Sequence, residues 1–305
     1  MIPAALRRRR IAVLMGGWSA EREISLQSGR AVSVALRRLG LSHRALDVTP
    51  DIARALRRHR VDLAFLATHG PFGEDGRLQG LLDVLKIPYT GSGVLASAMA
   101  MHKPSAKRIF ESANIPTPRG AVLRPRDARR VPFPAPWVVK PASQGSAVGV
   151  TVVRRRADLS AALKGAWAFE PEALVEAFVP GAEITVGVLN DRALPVVEII
   201  PQHAFYDFHS KYAPGGSRHV APARIPDRVR REAQRLALAA HRALGCRHVS
   251  RVDLIVGPRG RPVVLELNTI PGMTAASLLP DAARAAGMGF DALVLRILGL
   301  ALQDD

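Results

Sequence analysis

With 305 residues, 48% of them hydrophobic and 23% charged, the chain can bury a sizeable core and divides by size into about two domains, or three small ones. No apolar run is long enough to span a bilayer, and the single cysteine, Cys246, excludes an internal disulfide framework and a cysteine zinc cage. A formal charge of +17 raises nucleic acid as a partner, but the arginines are spread along helical-looking stretches such as IPDRVRREAQRLALAAHRAL and only 5% of residues are aromatic, so nucleic-acid binding is not expected as the main function.

The opening RRRRIAVLMGG has a basic run but only five apolar residues before its glycines. That is too short for a signal peptide, and the cytoplasm is the expected location. Ile11 begins a short buried strand. The loop GGWSAERE follows, at a strand-to-helix junction where nucleotide phosphates often sit. It carries Glu21 and Glu23, the wrong sign for a phosphate. From Glu21 to Arg38 the apolar residues Ile24, Leu26, Val32, Val34 and Ala35 keep a rough helical period, with Ser19 as the expected N-cap. SHRALDV, DIARALRRHR, VDLAFLATHG, GRLQGLLDVLK and IPYTG then read strand, helix, strand, helix, short strand. Such alternation predicts a parallel sheet wrapped by helices, ending near Gly91.

SGVLASAMAMHKPSAKRIFESANI predicts one or two helices. A proline-rich connection leads to the strand PWVVKPA, the glycine loop SQGSAVG, the strand VTVVRR, a helix in ADLSAALKGAWAF and the strand EALVEAFV. This second unit, about 92–176, reads as a small α+β module. EITVGVLN, ALPVVEIIP, VSRVDLIVG and RPVVLELN are further strands, with LNDR and GPRGR as hairpin turns. QHAFYDFHSKYAPGGSRHVAPAR has no clear period and contains Tyr206, Lys211 and Tyr212. A loop this long inside a compact domain is a lid, a binding loop or a disordered segment.

Chemistry concentrates in a few places. Alternate residues of a strand share a face, so Arg251 and Asp253 point one way while Val252, Leu254 and Val256 point the other. In the next strand Glu266 and Asn268 share a face, with Leu265 and Leu267 opposite. If GPRGR closes the hairpin, Asp253, Glu266 and Asn268 meet. Three oxygen donors without cysteine or a histidine pair favour Mg²⁺ beside phosphate. A buried salt bridge of Arg251 with Asp253 or Glu266 is the competing reading.

The lysines are only Lys86, Lys103, Lys107, Lys140, Lys164 and Lys211, in a chain whose positive charge is otherwise arginine. A compact ammonium suits phosphate oxygens in a way that the planar arginine fork does not. Lys140 ends a strand just before SQGSAVG, which can fold over phosphates and donate backbone N–H groups. Gly-Lys-Ser/Thr is absent, so this is not a Walker A loop, and a plain hairpin loop is the alternative. Lys103 lies in the first part of a helix and reads equally as a surface lysine. Glu176 and Glu183 flank VEAFVPGAEIT and read equally as exposed carboxylates. His69, at a strand end, reads more readily as a hydrogen-bonded structural residue.

Taken together, GGWSAEREISL, HGPFGEDGRLQGLLDVLKIPYTGSG, KPASQGSAVG, VEAFVPGAEITVGVL, FYDFHSKY, GCRHVSRVDLIV and ELNTIPGMTAASLLP, in this order, resemble the D-alanine–D-alanine ligase family of the ATP-grasp superfamily over about residues 11–300. The resemblance implies a three-domain ATP-grasp architecture of α/β and α+β type. An N-terminal parallel α/β substrate-binding domain would span 1–91, a central ATP-grasp subdomain 92–176, and a C-terminal domain with metal site and lid loop 177–305, with ATP between the last two.

It further implies phosphorylation of a first D-alanine by ATP and attack by the amine of a second. Lys103, Lys140 and Lys211 would contact ATP, Glu183 the ribose, and Glu176 with the backbone of Ala177 and Val179 the adenine. Asp253, Glu266 and Asn268 would hold two Mg²⁺ ions, or Mn²⁺ in their place. Glu21 would bind the first D-alanine's ammonium with His69 nearby. Arg251 and the Gly272 N–H would stabilise the oxyanion, and Ser277 and Leu278 would hold the second carboxylate. Ser146 and Tyr212 would link Glu21 to the lid. A homodimer is implied, and neither nucleic acid nor membrane is. His102, Ala147 and Trp18 depart from the family's common residues, and Trp18 is expected to narrow access beside Glu21. Tyr212 favours an amine as second nucleophile. The alternative is the same mechanism with another acceptor, D-serine or D-lactate.

Overall fold

The computed structural model of the chain describes residues 2–126, 131–201 and 216–303. Within them three sheets follow one another along the sequence. After a short helix, α1 (Ala4–Arg7), comes β1 (Ile11–Met15). It is the central strand of a parallel sheet, with β2 (His43–Asp47) on one side and β3 (Leu63–Leu66) on the other. The helices α2 (Arg22–Arg38), α3 (Ile52–Arg58) and α4 (Arg77–Val84) alternate with these strands. Both faces of β1 are covered, which is why it reads as an unbroken apolar run: Ala12 and Leu14 pack with Leu56 and Leu78, while Ile11 and Val13 pack with Val32 and Leu36 of α2. IPYTG contributes less than a strand, a single parallel bridge from Tyr89 to Ala64.

Two helices, α5 (Val94–Met101) and α6 (Lys103–Ser112), lead to a four-stranded antiparallel sheet. Its strands β4 (Gly120–Leu123), β5 (Trp137–Pro141), β6 (Thr151–Val153) and β7 (Ala173–Ala177) take the order β4-β7-β5-β6. One face is closed by α7 (Leu159–Trp167), through Leu163 and Ala166 on Trp137, Val139 and Val175.

The third sheet is antiparallel, in the order β11-β10-β8-β12-β13, with β9 paired to β8. It comprises β8 (Ala182–Leu189), β9 (Arg192–Ala193), β10 (Val197–Pro201), β11 (Ser217–Val220), β12 (Val249–Gly257) and β13 (Arg261–Asn268). LNDR is a tight hairpin turn with Asn190 and Asp191 both at positive φ, 51° and 57°, and GPRGR joins β12 to β13. One face packs on α8 (Asp227–Ala243) and on Ala106 and Phe110 of α6. The C-terminal helices α9 (Leu278–Ala285) and α10 (Phe290–Ala301) bury Leu279, Leu293 and Ile297 in one core with Ile11, Val13 and Leu36 and with Leu189 and Val249. That shared core brings the loops of the first sheet against the third. Among the described residues no helix is long and apolar enough to cross a membrane.

Two details depart from the expectations of the sequence. The helix that follows β1 starts at Arg22, within GGWSAERE, with Glu21 in the cap position. Ser19 lies just before it, where its hydroxyl accepts the Glu21 N–H at 3.2 Å and donates to the His69 carbonyl at 2.7 Å. The N–H that Ser19 accepts belongs to Glu21, which precedes the first helical residue, so the bond holds the approach to the helix and not its first turn. In β13 a bulge breaks the alternation: Asp253 pairs with Glu266 but Leu254 with Val264. Leu265 is therefore unpaired and turns toward the same side as Glu266.

Candidate active site

Two cavities meet at the β12–β13 hairpin. The first is small, about 100 Å³, and is built by loops from all three sheets. Glu21 comes from the loop after β1 and His69 from the loop after β3. Besides the Ser19 bond, the buried Ser25 hydroxyl accepts the Gly16 N–H at 2.7 Å and donates to the Ala67 carbonyl at 2.8 Å. The two loops are thus fastened side by side. Arg22 pins the first loop from outside, pairing with Asp47 at 2.6 Å and donating to the Gly17 carbonyl.

The Glu21 carboxylate is buried and accepts a hydrogen bond from Ser146 of the β5–β6 loop, 125 residues away. Gly70 and Gly145 permit this closeness: a Cβ on either would lie 2.5 Å from Glu21 Oε2. Glu74 is a second buried carboxylate on the same cavity, 3.9 Å from His69 Nδ1. Burial and the charge of Glu21 hold its carboxyl above the usual carboxylate range, against the pull of His69. Glu74 is absent from the site expected of the sequence. Its one signal there is an acid inside the glycine-rich GPFGEDG, directly after His69. His69 Nε2 lies 3.2 Å from the Ser28 hydroxyl, which accepts the Met273 N–H at 3.1 Å, so His69 both faces the cavity and serves the structure.

The far wall comes from the third sheet and the loop after it: Arg251, Asn268, Gly272, Ser277 and Leu278. Ser277 occupies the N-cap position of α9, with its hydroxyl accepting the Thr274 N–H at 2.9 Å. A helix N-terminus here favours an anionic group. Glu21 and Glu74 line the same space. A space that holds carboxylates together with a helix N-terminus and a guanidinium is complementary to a zwitterion.

The second cavity, about 400 Å³, lies between the second and third sheets. Lys103, Lys140, Glu176, Ala177, Val179 and Glu183 all line it, as do Asp253 and Glu266. Its walls are largely apolar, including Val138, Val150, Ile184, Ile199 and Leu265. Lys103 donates to the Gln144 carbonyl at 2.5 Å and lies 3.9 Å from Glu266. Lys140 is buried, 2.5 Å from Glu176. Burial opposes its charge, but Glu176 and Glu266 overcome that and raise its pKa. Burial likewise opposes ionisation of Glu176, and Lys140 and Lys107 hold it below the usual carboxylate range.

The partition between the cavities carries the expected metal set. Asp253 faces Glu266 in register, and Arg251 faces Asn268. Arg251 also grips Asp253 in a bidentate pair, 2.8 and 2.7 Å. The salt bridge that competes with the metal reading is therefore present. Asp253 further accepts from the Thr185 hydroxyl at 2.6 Å and Asn268 Nδ2 at 3.2 Å. Among the described residues no cluster of three or more His, Cys, Asp or Glu side chains could hold a metal. The donor set that forms is two carboxylates and a carboxamide, all hard oxygens suited to Mg²⁺.

Lys211 and Tyr212, like Tyr206, lie outside the described residues. Trp18 does not line the small cavity: it is half exposed and stacks on Phe72 with ring centroids 4.7 Å apart. Its contact with Phe72 leaves it outside the residues that line the cavity. His102 is bonded to Ser105 at 2.6 Å and to Glu172 at 3.2 Å.

A nucleotide-sized cavity between two antiparallel sheets, with a buried lysine on a strand of one, a second lysine from helix α6 and a carboxylate hairpin from the other, defines the ATP-grasp class. Family models agree on the member: the D-ala D-ala ligase C-terminus matches residues 121–299 and the D-ala D-ala ligase N-terminus residues 42–92. The D-alanine–D-alanine ligase of Geotalea uraniireducens is 50% identical over 299 residues, covering 97% of this chain and 96% of its own. The crystal structure of a Bacillus anthracis D-alanine–D-alanine ligase superposes with a TM-score of 0.87 at 33% identity, covering 97% of this chain and 98% of that one. A Bacillus anthracis structure complexed with ATP gives 0.85 at 31%, with the same coverage. The chain belongs to the D-alanine–D-alanine ligase family.

Proposed function

We propose that this chain joins two D-alanines into D-alanyl-D-alanine for peptidoglycan synthesis, at the expense of ATP. The carboxylate oxygen of the first D-alanine attacks the γ-phosphorus and ADP leaves. The amine of the second attacks the acyl carbon, loses a proton, and phosphate departs from the tetrahedral intermediate. The observation that carries this reading is the shared partition. Arg251 and Asn268 face the small zwitterion-shaped cavity while Asp253 and Glu266 face the larger one. A phosphate chain in one space and a carboxylate in the other would meet across a single hairpin.

The residue roles follow. Lys103 and Lys140 neutralise phosphate oxygens, since phosphoryl transfer depends mostly on positioning and charge. The apolar walls take the adenine beside Glu176, Ala177 and Val179, and Glu183 takes the ribose. Glu21, steadied by Ser146, receives the first ammonium, with His69 beside it. Arg251 and the Gly272 N–H stabilise the oxyanion, and Ser277 and Leu278 receive the second carboxylate. Mg²⁺, or Mn²⁺, held by Asp253, Glu266 and Asn268 would neutralise charge on the phosphates.

Resemblance alone supports the roles of Lys211 and Tyr212, the division into 1–91, 92–176 and 177–305, the homodimer and the cytoplasmic location. ADP release with D-alanine and Mg²⁺, followed by mass spectrometry of the product, tests the reading. D-alanine-dependent ADP release with a dipeptide product is expected. No such release overturns it, and a depsipeptide formed from D-lactate would favour the other acceptor.

A further inference from the structure

Lys107 is one of the chain's six lysines and has no part in the mechanism above. It sits one helical turn after Lys103 on α6, so the two share a face, but it does not line the nucleotide cavity. It is buried. Its ammonium donates to Thr117 Oγ1 at 2.7 Å and to the Pro118 carbonyl, and it forms an ion pair with Glu176 Oε1 at 2.8 Å. The stem reaches them beneath Gly120, where a Cβ would lie 2.9 Å from Lys107 Cε.

Glu176 is thereby held between two ammoniums, Lys107 on Oε1 and Lys140 on Oε2. The two differ in what lies beyond them. Lys140 opens onto the cavity, whereas Lys107 is enclosed behind its wall. If Lys140 were the only partner, its turning to a phosphate would leave Glu176 as a buried, unpaired carboxylate, a costly state.

We infer that Lys107 is a positioning residue for the nucleotide, keeping Glu176 neutralised so that Lys140 is free to engage phosphate. The inference rests on the reading of the large cavity as the ATP site. It explains why burial and the neighbouring Lys140, which together lower the pKa of Lys107, are tolerated: Glu176 must carry two cations before the nucleotide arrives and one after.

Calorimetric titration of the full chain with ADP and with a non-hydrolysable ATP analogue, alongside steady-state kinetics, tests this. Lys107→Met should weaken nucleotide binding by at least about tenfold and raise KM for ATP, with KM for D-alanine unchanged. Adding Glu176→Gln to Lys107→Met should recover part of the loss, because the unpaired carboxylate is gone. Lys107→Arg should not restore binding, since the larger planar fork does not fit beneath Gly120, where a Cβ would already lie 2.9 Å from Lys107 Cε. Nucleotide affinity in Lys107→Met or Lys107→Arg equal to that of the unmodified chain overturns the inference. Should neither variant fold, Thr117→Val removes a hydrogen bond that holds the Lys107 ammonium beside Glu176, and unchanged nucleotide affinity there overturns it too. An unmodified chain that binds no nucleotide overturns the ATP reading itself, and the inference with it.

Discussion

The two cavities share one hairpin but are built on opposite principles. The small one is made largely of loop ends, with Arg251 added from β12. Its charged groups, Glu21, Glu74, Arg251 and the α9 N-terminus, come from segments far apart in the chain, held by hydroxyls such as Ser19, Ser25 and Ser28 that bridge one segment to the next. The large one is made of sheet faces. Lys140, Glu176, Asp253 and Glu266 stand on strands whose register fixes their spacing, and its cations are neutralised internally by carboxylates. Loops let the small site match both ends of a zwitterion within about 100 Å³. Strands let the large one keep buried charge in fixed pairs until a polyanion competes for it.

This contrast is open to dissection. The largest effects are expected at the partition, where both cavities lose. Arg251→Ala and Glu266→Gln should each lower kcat by at least about a hundredfold, with circular dichroism and melting temperature little changed. Near-normal kcat in either variant refutes the assigned role. Next come changes confined to one side. Lys140→Met should raise KM for ATP by roughly tenfold or more and leave D-alanine binding alone. Glu21→Gln should do the reverse, raising KM for the first D-alanine about tenfold without altering nucleotide affinity. If either variant affected both substrates equally, the division of labour between the cavities would be wrong.

The smallest effect is expected from Glu74 and concerns stability. Its carboxyl titrates above the usual range in the folded chain, so the folded state holds a proton that the unfolded state has released. The stabilising contribution is complete in acid, below the ordinary carboxylate pKa, and is lost as pH rises through the folded value. Glu74→Gln should therefore melt higher than the unmodified chain at neutral pH, and the difference should shrink in acid. A difference that grew on acidification would place the charge on Glu74 in the wrong state.

Much of the large cavity is legible in the sequence. Period-two alternation puts Arg251 with Asp253 and Glu266 with Asn268, and β12 and β13 pair them in register. Alternation fails at Leu265, because a bulge is a property of two paired strands and leaves no mark in one. The scarcity of lysine draws attention to Lys103 and Lys140. The i, i+4 spacing of Lys103 and Lys107 is visible too, but the partners of Lys107, Thr117 and Glu176, lie on other elements. The small cavity is legible only through family resemblance, since bonds such as that of Ser146 to Glu21 join different sheets.

The sequence by itself determined most of the helices and strands, the faces on which their polar residues stand, and the absence of an internal disulfide and a cysteine zinc cage, because helix and strand periodicity and residue identity are local properties. The tertiary structure decided which ends meet. It seated α9 and α10 in one core with the first and third sheets, placed Trp18 on Phe72 and not in the cavity lining, and set two ammoniums on one buried carboxylate, that of Glu176. Those outcomes depend on what each surface is buried against, and that is fixed by packing between segments distant in the chain.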